Sequence, residues 1–227
     1  MTTELHDELL RIPLDATESA VARVTCREGA RPERLLVLFP PHPSLGGDAE
    51  NNVIRAVARA GIETGRLVLR LRYRRTEPDA AGDGHSLAFW DDLDARRDYD
   101  LIVADSLLTI DTIRQAFRSA GPIEIAAYSF GVYVALRVLS RLGPARLVGI
   151  SPPLLEHDFP GALPATGTGG GVTFIGTTGD PFCPPDALRQ LAGAAGGRWH
   201  YIEAADHFYR GEENRLALAV LDALEIG

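Results

Sequence analysis

Ala127-Tyr128-Ser129-Phe130-Gly131 decides how this chain is read. Ahead of it, residues 122–128 form a short apolar run of strand length; behind it, residues 130–142 repeat apolar side chains at helical spacing. A strand that passes straight into a helix turns so tightly that the residues two before and two after the turn must be small. Gly131 meets that demand and Ala127 nearly does. The turn lifts the Ser129 hydroxyl off the sheet edge toward the positive end of the following helix, which makes it a candidate nucleophile. The five-residue string alone is common; its strand-to-helix context gives it weight.

Outward from this turn, short apolar runs alternate with longer amphipathic ones. Residues 34–39 read as a buried strand stopped by Pro40-Pro41-His42-Pro43. Asp48 is placed to cap a helix running to Ala60, which Gly61 ends. Residues 66–73 read as a strand with Leu67, Leu69, Leu71 and Tyr73 on one face, and a polar, Gly-rich loop follows over 76–84. Helices are expected over 85–97, 101–117, 185–195 and 212–224, and strands over 146–150, 172–176 and 198–203. The irregular segment 151–171 is too short for a large helical lid. At the start, residues 8–14 and 20–26 alternate in polarity and are joined by Asp15-Ala16-Thr17-Glu18, a hairpin. Strand and helix alternating after a hairpin predict one α/β domain over residues 1–227. Its sheet is mostly parallel with helices on both faces, and the N-terminal hairpin is antiparallel.

Composition narrows the chemistry. The 227 residues are 45% hydrophobic and 24% charged, an ordinary globular balance in a chain long enough for a full core. All 23 basic residues are arginine. Without lysine there is no Lys Schiff base, no Lys nucleophile and no phosphate-loop lysine. A net charge of −8 argues against nucleic acid or an anionic membrane as partner. Cys26 and Cys183 are too few for a disulfide framework or a structural zinc site, and no HExxH, CxxC, calcium loop or dinucleotide glycine fingerprint occurs. The acidic N-terminus lacks an apolar signal core, and no apolar run approaches the length of a membrane span. The expectation is a cytoplasmic protein without metal or cofactor, its oligomeric state left open.

A serine hydroxyl needs a base to take its proton, and the base needs a carboxylate to orient it. For a serine at such a turn, the acid and then the histidine should follow, each after a later strand. Asp180 stands after the strand 172–176 and His207 after the strand 198–203. Asp206 is read as structural, and Glu156, His157 and Asp158 are the fallback partners. The oxyanion needs two donors: the Phe130 amide, and one from the loop after strand 34–39. Pro40, Pro41 and Pro43 have no N–H, which leaves His42 or Ser44, of which His42 is preferred. Arg74 and Arg75 near the functional edge could hold a substrate carboxylate or phosphate; pairing with Asp91, Asp92 or Asp94 is the structural alternative. Tyr128 and Phe130 are expected beside the pocket.

These residues resemble the α/β-hydrolase superfamily, in particular its small, lidless esterase-like and dienelactone-hydrolase-like members. The resemblance spans residues 35–224. It rests on Pro41-His42-Pro43 with Gly46-Gly47, Tyr128-Ser129-Phe130-Gly131, Ile150-Ser151-Pro152-Pro153, Gly179-Asp180-Pro181-Phe182 and Asp206-His207-Phe208-Tyr209. It implies Ser129 as nucleophile, His207 as base, Asp180 as its orienting acid, and the Phe130 and His42 amides as oxyanion hole. Two departures stand out: Pro40 replaces a usual histidine, and Arg74-Arg75-Thr76-Glu77-Pro78 replaces a Gly-rich turn.

The reading that follows is a serine hydrolase of carboxylic esters or thioesters, with a small-molecule acyl substrate, free or carrier-bound. A second reading keeps the triad for acyl transfer, cyclisation or elimination. A third is a ligand-binding protein on a catalytically silent fold, which an intact Ser-His-Asp set argues against.

Overall fold

The computed structural model describes residues 4–45, 47–76, 85–117, 122–142, 144–159, 163, 171–203 and 206–226. The strands are β1 (Leu5–Pro13), β2 (Ser19–Arg27), β3 (Leu35–Phe39), β4 (Leu67–Leu71), β5 (Ile123–Tyr128), β6 (Ala145–Ile150), β7 (Val172–Thr177) and β8 (Arg198–Ile202). The helices are α1 (Asn52–Glu63), α2 (His85–Arg96), α3 (Asp100–Phe117), α4 (Phe130–Leu142), α5 (Pro185–Ala194) and α6 (Glu213–Ile226). The strands form one sheet in the order β1-β2-β4-β3-β5-β6-β7-β8. The β1–β2 and β2–β4 pairs are antiparallel, and every other pair is parallel.

β3, β4 and β5 are buried along their whole length, as strands covered on both faces must be. On one face Val53, Ile54 and Val57 of α1 and Leu216, Val220 and Leu224 of α6 pack against Leu36, Leu38 and Val68. On the other, α2, α3, α4 and α5 bury Trp90, Ile110, Leu136 and Leu188 against Val37, Leu69 and Ile125. The chain leaves β3 for the α1 face and its neighbour β5 for the α4 face, so a crevice opens at the carboxyl ends of β3 and β5, where open α/β sheets place their sites.

Local chemistry sets the boundaries. In the β1–β2 turn, the Asp15 carboxylate accepts the amides of Thr17 and Glu18 at 2.8 and 2.9 Å. The cap of α1 is Asn51, not Asp48: its side-chain oxygen accepts the Val53 amide at 2.9 Å, while Asp48 closes the preceding turn on the Glu50 amide. Gly61 does not end α1 but lies within it. A Cβ there would stand 2.7 Å from Leu36 Cδ2, so its missing side chain lets helix and sheet approach. Most of the 76–84 loop and most of the segment 160–170 lie outside the described residues.

At the opposite end of the sheet from the crevice, Glu124 of β5 is 1% exposed and receives the Arg66 guanidinium at 2.5 Å, with Arg34 at 3.2 Å. Removing Glu124 would leave the buried Arg66 guanidinium with only the half-exposed Glu225, 2.7 Å away, as its ion partner. Glu124→Ala should therefore lose about 3–5 kcal/mol in a urea titration, and a loss below 1 kcal/mol would show the network to be peripheral.

Candidate active site

Ser129 occupies the turn between β5 and α4 with φ of +53°, a left-handed backbone that non-glycine residues adopt only where the surroundings enforce it. Here the Ser129 amide donates to Ile150 of β6 at 2.9 Å, and its carbonyl accepts the Val132 amide at 2.9 Å. Gly131 explains the second requirement of the turn. A Cβ at that position would sit 2.5 Å from the Phe39 carbonyl oxygen and 2.6 Å from that of Pro40. The first turn of α4 thus rests directly on the backbone that ends β3. The Tyr73 hydroxyl donates to the same Pro40 carbonyl at 3.1 Å.

His207 Nε2 lies 3.3 Å from Ser129 Oγ, and His207 Nδ1 lies 2.7 Å from Asp180 Oδ2. A carboxylate beside Nδ1 holds the proton on that nitrogen and leaves Nε2 as the acceptor facing the serine. Asp180 is itself fixed, since its other oxygen accepts the amides of Phe182 at 2.8 Å and Cys183 at 3.2 Å. The His207 ring stands between Tyr128 and the edges of Phe182 and Phe208. Ser129, Asp180 and His207 are all buried. The structure therefore brings together the three side chains expected from their order in the chain.

Other expected residues lie elsewhere. Tyr128 does not line the pocket. It points into the core between the sheet and α6, and its hydroxyl donates to the His207 carbonyl at 2.8 Å, which positions the histidine loop. Arg74 is buried and held by Asp105 at 2.5 and 2.7 Å and by Glu18 at 3.0 Å, so its guanidinium is spent on α3 and the hairpin rather than turned to the site. Arg75 donates to Glu18 at 2.9 Å and lies over the Phe89 ring. Neither arginine pairs with Asp91, Asp92 or Asp94. Asp206 accepts the Phe208 amide and so closes its own loop. Cys183 is fully buried, which pushes its thiol pKa up and away from reactivity.

Beside Ser129 is a cavity of about 350 Å³ lined by His42, Asp94, Arg97, Tyr99, Phe130 and His157 among others. His42 accepts the Ser44 amide on Nδ1 at 3.3 Å, so its proton sits on Nε2 and donates to Asp94 Oδ1 at 3.1 Å. The Tyr99 hydroxyl donates to the same oxygen at 2.7 Å. Burial pulls the His42 pKa down against the attraction of Asp94. Arg97, at the end of α2 with φ of +52°, makes no ion pair among the described residues and opens onto the cavity. This lining is more polar than the aromatic sequence around Ser129 suggests. Tyr99 and Arg97 carried no sequence signal, because α2 and α3 bring them over the turn only once the sheet is assembled. Among the described residues no helix is long and apolar enough to cross a membrane, and no His, Cys, Asp or Glu group could hold a metal ion.

Solved structures share this architecture. A homologue of α/β serine hydrolases from Coxiella burnetii matches with a TM-score of 0.75 at 19% identity, covering 99% of both chains. A lidless α/β serine hydrolase from Xanthomonas campestris matches with a TM-score of 0.74 at 22% identity, over 100% of this chain and 96% of that one. A dienelactone hydrolase from Anabaena variabilis matches with a TM-score of 0.67 at 15% identity, over 97% and 96%. No family model and no curated protein sequence matches the chain. At these identities the likeness concerns the fold: the chain has the α/β-hydrolase fold.

His157 stacks on Tyr133 at 5.2 Å in the cavity wall, and burial, with repulsion from His42 whenever that ring is protonated, takes its pKa from 6.5 down to about 4. The folded protein thus prefers it neutral, whereas the unfolded chain takes up a proton between those values. Stability should fall as pH drops from about 6.5 toward about 4. His157→Phe, which keeps the stacking and cannot be protonated, should flatten that part of the urea-midpoint profile. An unchanged profile would mean that His157 is not what titrates.

Proposed function

We propose that this protein is a serine hydrolase that cleaves a carboxylic ester or thioester through an acyl-enzyme on Ser129. The observation that carries the reading is the unbroken hydrogen-bonded line from Ser129 Oγ through His207 to Asp180. In this mechanism Ser129 Oγ attacks the carbonyl carbon while His207 Nε2 takes its proton, and Asp180 steadies the imidazolium that forms. The oxyanion of the tetrahedral intermediate is met by the backbone amides of Phe130 and His42. Phe130 is the first residue of α4, whose amides have no intrahelical partner, and the positive helix end adds to their effect. His207 then returns its proton to the leaving oxygen or sulfur, activates a water against the acyl ester, and Ser129 is freed as the acid departs.

The cavity beside Ser129 favours a short, polar acyl group. Its about 350 Å³ lies at the lower end of small-molecule pockets, and Arg97, Asp94 and His157 offer polar partners there. Phe182 and Phe208, partly exposed beside His207, offer an apolar seat on the opposite side for the leaving group.

With p-nitrophenyl acetate, Ser129→Ala and His207→Ala should each lower kcat/KM on the order of 10⁴-fold or more, and Asp180→Asn about 10⁴-fold. Turnover retained by Ser129→Ala would remove the acyl-enzyme. Across the p-nitrophenyl esters from acetate to decanoate, kcat/KM should be highest for the short chains; a steady rise with length would place the acyl group outside this cavity.

A further inference from the structure

A second cavity, of about 500 Å³, lies between the outer side of α1 and strands β1, β2 and β4, and it shares no residue with the one beside Ser129. It exists because the hairpin extends the sheet beyond the reach of the helices. Arg27, Arg55, Arg59 and Arg70 line it, in a chain whose net charge is −8.

The carboxylates facing these arginines are largely taken. Glu50 receives Arg70 at 3.0 and 3.1 Å and also Arg23 at 3.5 Å. Asp7 accepts the Thr25 hydroxyl at 2.7 Å and pairs with Arg23 at 3.9 Å, and Arg23 stands in register with Arg70 across the β2–β4 pair. Glu63 is the one lining carboxylate without an ion pair among the described residues; Arg27 donates to its backbone carbonyl instead. On the open side, Arg55 and Arg59 are exposed one helical turn apart, and neither makes an ion pair to a described residue. On the closed side, Arg70 is only 8% exposed, yet its Nε has no hydrogen-bond partner among the described residues. Nε itself is covered by protein, so a ligand in the cavity would meet Arg70 only through the edge of its guanidinium that lines the wall, beside its ion pair with Glu50.

We propose that this cavity is a second ligand site that takes a phosphate monoester, its dianion bridging Arg55 and Arg59 on the helix to the buried Arg70 on the sheet. Guanidinium groups approaching from two sides suit the three oxygens of a phosphate better than the two of a carboxylate. Leu5, Ala58 and Ile62 in the same lining give the organic part of the ester an apolar seat. The site is separate from Ser129 and does not depend on the hydrolase reading.

Calorimetric titration of the whole chain with n-hexyl phosphate at low salt tests it. One equivalent should bind, less tightly in about 0.5 M NaCl and at least about 10-fold less tightly to Arg55→Gln/Arg59→Gln. Both side chains are exposed, so this variant should keep the wild-type melting temperature and wild-type turnover of p-nitrophenyl acetate. Absence of binding to the wild type would overturn the proposal, as would equal affinity in the double variant. Attachment to phosphatidic-acid vesicles with no binding of the soluble ester would also overturn it, and would make these arginines a lipid-facing surface.

Discussion

A missing side chain organises the centre of this molecule. Because Gly131 carries no Cβ, the first turn of α4 sits on the carbonyls of Phe39 and Pro40, and β3, β5 and α4 meet at van der Waals distance. That contact fixes the direction in which the chain leaves β5. It therefore fixes the left-handed backbone of Ser129, held in place by the hydrogen bond from its amide to Ile150. It also fixes where the loop after β3 begins, so that the His42 segment and the start of α4 face one crevice from two sides. A larger residue at Gly131 would have to push backbone rather than a flexible side chain, and overpacking of that kind costs about 1–3 kcal/mol even where the core can give way.

The remainder of the candidate site is built around that fixed point by neighbouring strands. Ser151, after β6, has φ of +44° and lies 2.8 Å through its hydroxyl from that of Tyr209, whose own φ is +52°. Tyr209 follows the histidine loop by two residues, and Tyr128 holds the same loop from beneath through the His207 carbonyl. Ser129 itself, with Ser151 and Tyr209 in the adjoining loops, accounts for three of the five left-handed non-glycine residues described. Backbone strain is concentrated where side chains must be held in register, and the packed sheet below it makes that affordable.

Much of this was legible in the sequence because it is local. Apolar periodicity placed every strand and helix within a few residues, and the order Ser129, Asp180, His207 after successive strands singled out three side chains that the fold brings into contact. Errors arose where a decision depends on distant partners. Asp48 and Asn51 are both good caps, and only the path of the chain out of the preceding turn chooses Asn51. Arg74 lies near the functional edge, but the pairing of β4 with β2 brings Glu18 and α3 brings Asp105, and these take its charge. The polar character of the cavity was hidden for the same reason. Asp94, Arg97 and Tyr99 are unremarkable along α2 and the link to α3, and become a cavity wall only when those helices pack over the Ser129 turn.

The central claim is that the fold activates one serine through one histidine. The most direct measurement is intact-mass analysis after exposure to a fluorophosphonate, which reacts with a serine only when a base has raised its nucleophilicity. The wild type should gain a single adduct, mapped by peptide fragmentation to Ser129, and neither Ser129→Ala nor His207→Ala should gain it. An unlabelled wild type, or an adduct that persists in either variant, would contradict the account.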